Sequence, residues 1–173
     1  MKRIAIIGCG GAGKSTLARQ LGVMLDLPVY HLDSLFWKAG WTATTASDFD
    51  TILYEILSKD KWIIDGNYSR TLDLRIREAD TIIFLDYPTH VCLFRVIKRR
   101  IEYNGVTRPD MAKDCKEKID AEFIKWILDF RRKNRSQILS RLGNFEGEKQ
   151  IYVFNGPKEL ESFVNTLGFI KER

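Results

Sequence analysis

Apolar residues follow two alternating rhythms along this chain: short unbroken runs, and longer stretches where they recur every three or four positions. Ile4–Ile7 is wholly apolar, the pattern of a central parallel strand covered on both faces. From Lys14 to Leu25 the apolar positions Leu17, Leu21 and Leu25 stand four apart, which predicts the helix that follows. Pro28–Leu32 reads as a second strand ending at Asp33, and Phe49, Ile52, Leu53, Ile56 and Leu57 predict a helix over Ala46–Ser58. Trp62–Asp65, Thr81–Asp86 and Gln150–Phe154 complete five strands, with helical patterns over roughly 69–79, 88–103, 117–142 and 157–167. Strands alternating with helices imply right-handed crossovers and an α/β fold, a parallel sheet between two layers of helices. The irregular stretch Asn104–Asp114 reads as a mobile flap.

Composition narrows this picture. With 173 residues, 45% hydrophobic and 29% charged, the chain is expected to form one domain around one sizeable core. No apolar run reaches 18 residues, so neither a membrane span nor a membrane partner is expected. The N-terminal apolar stretch is short and runs into glycines and a lysine, as a strand entering a loop does and a signal peptide does not. Cys9, Cys92 and Cys115 are scattered, so no disulfide framework or zinc site is expected and a reducing, cytoplasmic setting is. The net charge of +5 is uneven: residues 95–141 hold fourteen Lys/Arg against seven Asp/Glu, and the remainder is slightly acidic. One basic segment suits a local polyanion such as a triphosphate as well as it suits a solvated helix face.

The clearest chemistry lies at Gly8-Cys9-Gly10-Gly11-Ala12-Gly13-Lys14-Ser15, followed by Thr16, which fits the phosphate-loop pattern G-x-x-x-x-G-K-S/T between a strand and a helix. Glycines let the backbone curl so that successive N–H groups face phosphate oxygens at a helix N-terminus, where anions are favoured. Lys14 is expected to reach the terminal phosphates and Ser15 to ligate Mg2+. Gly8, Gly10 and Gly13 also satisfy a dinucleotide fingerprint, with Asp33 twenty residues beyond Gly13. A dinucleotide site has no use for the Lys-Ser pair, however, and this length barely admits a separate substrate domain.

Asp33 and Asp65 both end strands, where ligands gather in parallel α/β sheets. Asp65 is expected to hold Mg2+ or its water shell. Asp33 is expected to orient an acceptor hydroxyl, take its proton or hold a metal-bound water; its blander alternative is a cap of the next segment. Asp86, with Pro88 close behind, reads as a helix start. Arg95, Arg99 and Arg100 share a helix, Arg108 falls in the flap, and Arg131, Arg132 and Arg135 lie on the helix beyond. Arginines closing from a lid stabilise charge on a moving phosphoryl group, and Arg99 and Arg108 are the leading candidates. Phe36, Trp37 and Trp41 suggest the wall of a flat acceptor or a hydrophobic flap, whereas His31 and His90 have no evident partner and read as structural.

The phosphate loop, Arg95-x-x-x-Arg99-Arg100 and the flap between Tyr103 and Asp114 together resemble the adenylate-kinase-like P-loop kinases. More narrowly, VYHLDSLFWKAGW, WIIDGNYSRTLD, DTIIFLDYP and TRPDM look like the DNA topology modulation proteins of the FlaR type. The wider resemblance implies a P-loop NTPase sheet in the order 2-3-1-4-5, Mg-ATP as donor, and a lid spanning about 103–116. It further implies Arg95 on the adenine ring, Arg99 on phosphate, and Asn155-Gly156-Pro157 bordering the adenine. Asp65-Gly66 matches the Asp-Gly opening the acceptor-side segment, but adenylate kinases continue with Phe-Pro-Arg where this chain has Asn67-Tyr68-Ser69-Arg70. Arg70 and Arg75 are the candidates to recognise the acceptor in its place, and AMP is not assumed. No helix-turn-helix, zinc module or stacking platform explains a link to DNA.

The expectation is therefore a cytoplasmic kinase, monomeric or homodimeric. It would transfer the γ-phosphoryl group of Mg-ATP to a nucleotide, nucleoside or other small hydroxyl acceptor. The alternatives are an ATP-binding regulatory protein linked to DNA topology and, behind it, a dinucleotide-dependent oxidoreductase.

Overall fold

In the computed structural model, which describes residues 1–171, the five expected strands form one parallel sheet. They are β1 (Arg3–Gly8), β2 (Val29–His31), β5 (Trp62–Asp65), β6 (Thr81–Leu85) and β7 (Gln150–Phe154). Between β2 and β5 lies an unforeseen antiparallel hairpin, β3 (Trp37–Lys38) and β4 (Thr42–Ala43). The main sheet runs β2-β5-β1-β6-β7. It departs from the expected 2-3-1-4-5 in numbering alone, because the hairpin strands intervene in the chain. Two-residue strands offer no alternation to read, and this turn places Gly40 at φ 70° and Trp41 at φ 63°. The left-handed region is uncommon for a bulky residue and costs about 1 kcal/mol or more.

Every residue of β5 and β6, and every residue of β1 after Arg3, is buried. Burial on alternate sides of a pleat requires cover on both faces, which the helices supply. α1 (Lys14–Leu25) packs on β1 and β5 and stops where Asp26 turns left-handed ahead of Pro28. α2 (Leu32–Phe36) is a single turn. α3 (Ala46–Leu57) is capped by Thr45, whose Oγ1 accepts from the Asp48 N–H at 3.1 Å. α4 (Leu72–Glu78) and α5 (Thr89–Glu102) flank β6, and α7 (Pro157–Lys171) begins on a proline, as first-turn geometry favours.

α6 (Ala121–Gly143) starts four residues later than its pattern predicts. Asp120 caps it, accepting from the Phe123 N–H at 2.8 Å, and the preceding residues are engaged in bridges between Asn104 and Glu117 and between Thr107 and Lys116. The expected flap is thus folded back on itself, with Met111 and Cys115 buried beneath it. It also fastens to the hairpin: the Trp41 indole N–H donates to the Lys116 carbonyl at 3.1 Å, and the Cys115 thiol to the Lys38 carbonyl at 3.3 Å. Among the described residues, no helix is long and apolar enough to cross a membrane.

Register aligns the carboxyl ends of the strands. His31 stands level with Asp65, and Gly8 with Leu85, itself level with Phe154. Hydrophobic packing of the sheet therefore delivers the glycine loop, His31, Asp65 and Asp86 to one edge.

Candidate functional site

The glycine loop leaves β1 and curls into α1 through Gly11 and Gly13, at φ 81° and 98°. A Cβ at Gly11 would lie 2.4 Å from the Cys92 carbonyl oxygen, so α5 packs directly against the loop. Lys14 donates from Nζ to the carbonyls of Gly8 and Cys9 at 2.9 and 3.0 Å. Asn67, which stands where adenylate kinases differ, braces the loop from below: its Oδ1 accepts from the Gly8 N–H at 3.0 Å and its amide donates to the Gly8 carbonyl. Cys9 lies against Cys92; a hydrogen bond between the thiols, together with burial, pushes the Cys9 thiol far above its usual value.

Ser15 donates from Oγ to Asp65 at 2.8 Å, and the other Asp65 oxygen pairs with His31 Nδ1. Both residues expected to serve a metal are thus in contact. The donor set suits Mg2+, which prefers one or two protein oxygens and completes its shell with phosphate and water. Among the described residues no group of three or more His, Cys, Asp or Glu could hold a metal.

Above the loop, Arg95 spans the Tyr87 ring, 5.5 Å away, and the Ala12 carbonyl, 3.2 Å away. Arg99 and Arg108 converge on one carboxylate: Arg99 Nε is 2.8 Å from Oε1 of Glu117 and Arg108 Nε is 2.6 Å from Oε2. Glu117 is almost fully buried. Arg108 also holds Asp110 at 2.7 Å. Burial opposes the charge on Asp110, but Arg108 and the Ser15 hydroxyl prevail and hold its carboxyl below the usual range. Asp110 thereby links the flap to the Ser15–Asp65 pair.

Asp33, in the turn after β2, lies beside the Tyr68 hydroxyl. Burial and the Asp33 charge push the Tyr68 phenol well above its ordinary value, so it remains a donor. Phe36, Trp37, Trp41, Phe49 and Tyr68 form a connected set of rings around Phe36, with centroid separations of 5.0–5.5 Å. One cavity of about 1320 Å³ joins this chamber, Asp33 included, to the loop and to Arg95, Arg99 and Arg108. Single-ligand pockets occupy roughly 300–1,000 Å³, so two small molecules can lie side by side here.

Several expected residues stand elsewhere. Asn155 and Gly156 follow β7 without lining the cavity; the Asn155 N–H donates to Glu159 at 2.8 Å, while Pro157 and Leu160 form the wall. Arg75 is wholly buried, donating to the Gly66 and Tyr68 carbonyls at 2.9 Å each, and burial brings its pKa down to about 10. It shapes the 66–68 turn and does not line the cavity. Arg70 lines the cavity rim and pairs with Asp50 at 2.6 Å. Asp86, expected to start a helix, instead accepts from Arg135 at 2.6 Å and faces Arg131 at 3.4 Å. His31, read as structural, is the partner of Asp65; aligning the ends of the second and third expected strands would have revealed it. Glu117 carried no sequence signal, since one acid among many lysines looks like solvated surface.

No protein-family model matches the sequence, and no curated protein matches it. Solved structures do share its architecture. A shikimate kinase from Bacteroides thetaiotaomicron is 20% identical with a TM-score of 0.52, covering 99% of each chain. A shikimate kinase from Acinetobacter baumannii, solved in complex with shikimate, is 15% identical with a TM-score of 0.55, over 96% of this chain and 90% of that one. At these identities the likeness is one of fold, and the fold is that of the P-loop kinases.

Proposed function

We propose that this protein transfers the γ-phosphoryl group of Mg-ATP to a hydroxyl of a small molecule. The observation that carries the reading is the single cavity joining the phosphate loop to Asp33 and the aromatic chamber, with Arg99 and Arg108 at its border. The donor triphosphate lies on the loop N–H groups, and Lys14 exchanges its loop carbonyls for phosphate oxygens. Ser15 and Asp65 hold Mg2+, which when bound neutralises phosphate charge. Arg95, on Tyr87, borders the base, as the resemblance to adenylate-kinase-like enzymes implies. Asp33 positions the acceptor hydroxyl and takes its proton as its oxygen attacks the γ-phosphorus in line with the leaving ADP. Arg99 and Arg108 face the charge that spreads over the moving group.

On this reading the whole chain is one kinase domain, and residues 103–116 act as its lid. The Ser15–Asp65 hydrogen bond supports a phosphate-and-metal site over a dinucleotide one, which would not employ either side chain in this way. Small-molecule kinases among the structural neighbours support the same class.

The test is ADP release from Mg-ATP across nucleosides, nucleoside monophosphates and other hydroxylated metabolites. At least one acceptor should stimulate release. Lys14→Ala should reduce the stimulated rate by about 10²–10³-fold, and Asp33→Asn by about 10²-fold or more, with the fold intact by circular dichroism. A panel without stimulation, from protein that binds ATP, would overturn the proposal and favour the regulatory alternative.

A further inference from the structure

Resting on the kinase reading, we infer that the acceptor is an uncharged, ring-bearing alcohol and not a phosphorylated or carboxylated one. The chamber next to the loop has rings for walls, and Arg70, Arg99 and Arg108 beside it are already held by carboxylates. Phe36 touches Trp37, Phe49 and Tyr68, and Trp37 continues to Trp41, so a ring inserted here meets aromatic faces and edges on several sides.

Of the arginines lining the cavity, Arg70, Arg99 and Arg108 are paired with carboxylates, Arg95 lies on the Tyr87 ring and the Ala12 carbonyl, and Arg19 is exposed on α1. Arg70 is paired with Asp50 at 2.6 Å at the rim. Arg99 and Arg108, which on the kinase reading face the moving phosphoryl group, share Glu117, and Arg108 also holds Asp110, so neither is left for a second anion on the acceptor. The Lys118 ammonium rests over the Trp41 ring, 4.7 Å from its centre. Asp33 is itself an anion and would repel a second one placed beside it. Recognition of a phosphate or carboxylate ordinarily uses an Arg fork with both donors free, and a buried anion without such a partner is strongly disfavoured. An uncharged ring with a hydroxyl meets neither penalty: the ring fills the aromatic chamber and the hydroxyl reaches Asp33.

The transfer balances without any further reactant. The bond between the γ-phosphorus and the bridging oxygen of ADP breaks, a bond from the acceptor oxygen to that phosphorus forms, and the hydroxyl proton passes to Asp33 and then to solvent. The products are a phosphate monoester and ADP.

The experiment titrates matched pairs into the intact protein: nucleosides with their 5′-monophosphates, and cyclic or aromatic alcohols with their carboxylated counterparts. Simple acyclic polyols form a third group. Tryptophan emission, read in a Trp126→Phe background because Trp126 lines the same cavity beside Gly10, reports occupancy without turnover: Trp37 and Trp41 line the chamber while Trp62 is fully buried. ADP release, with Lys14→Ala as control, reports transfer.

The expected result is a saturable emission change and Lys14-dependent ADP release by an uncharged ring alcohol, at about tenfold lower concentration than its anionic partner. Trp37→Leu should raise the half-saturating acceptor concentration about tenfold while ATP binding, measured by equilibrium dialysis, is kept. Whether nucleosides or non-nucleoside alcohols respond identifies the source of the ring. ADP release driven best by an anionic member and lost in Arg70→Ala, or driven best by an acyclic polyol, would overturn the inference and leave the kinase reading standing. Saturable binding of an uncharged ring compound without ADP release would overturn the kinase reading and uphold the chamber's preference. Silence in both readouts would overturn both.

Discussion

Asp80 shows how much one side chain can fix at the edge opposite the site. Its Oδ2 accepts from the backbone N–H groups of Lys2 and Arg3 at 2.8 and 3.0 Å, and its Oδ1 from the Thr81 hydroxyl at 2.7 Å. Burial works against the carboxylate, but these donors outweigh it and hold its pKa below the usual value. A depressed carboxyl pKa contributes stability above the unfolded-state value of about 3.9, which is lost as pH falls through the folded one. Urea melts should therefore show unfolding free energy declining below about pH 4, with Asp80→Asn flattening that decline and costing about 1 kcal/mol at pH 7. Glu117→Gln has a larger expected effect, because it puts an amide in place of the buried carboxylate shared by the half-buried Arg99 and Arg108 and leaves Asp110 alone to face them. Tm should fall by roughly 5–10 °C, from a loss of about 3 kcal/mol. Arg75 was legible in part: it falls on the same helical face as Leu72 and Ile76, all three buried, so the periodicity already turned it inward. Its partners, two backbone carbonyls, leave no trace in any pattern of side chains.

At the scale of elements, the hairpin β3–β4 and residues 103–120 form one clasp. Neither was readable as structure, since two-residue strands and isolated bridges have no period. What holds them is local: the Trp41 N–H on Lys116 and the Cys115 thiol on Lys38. Trp41→Phe keeps a ring in the wall and removes the donor, at an expected cost of about 1 kcal/mol in local stability. Amide hydrogen exchange within 104–118 should then run about fivefold faster in the variant, while β1 and β6 exchange as before. The long elements were legible because unbroken apolar runs and four-residue spacing each have one structural meaning. α6 lost its first four expected residues where bridge formation by Glu117 and Lys116 overrode a helical pattern.

For the whole molecule, legibility follows continuity in sequence. The phosphate loop is eight consecutive residues and could be read directly. The aromatic chamber draws on residues 33–49 and 66–71, which meet only because β2 and β5 are neighbours in the sheet. Ligand linkage tests the phosphate-loop half as a unit. Mg-ATP at about 100 times its dissociation constant should stabilise the protein by about 2.7 kcal/mol, raising Tm by roughly 5–10 °C. Lys14→Ala should abolish most of that rise in a thermal-shift measurement.

Asp86, almost wholly buried at the end of β6, draws Arg135 and Arg131 inward from α6. Asp129 similarly holds Arg132 and Lys133 beside them. A polyanion seeking this stretch would have to detach cations already engaged, leaving a bare carboxylate against the sheet. On a heparin column the protein should accordingly elute at lower salt than the fourteen Lys/Arg of residues 95–141 would suggest if they were free.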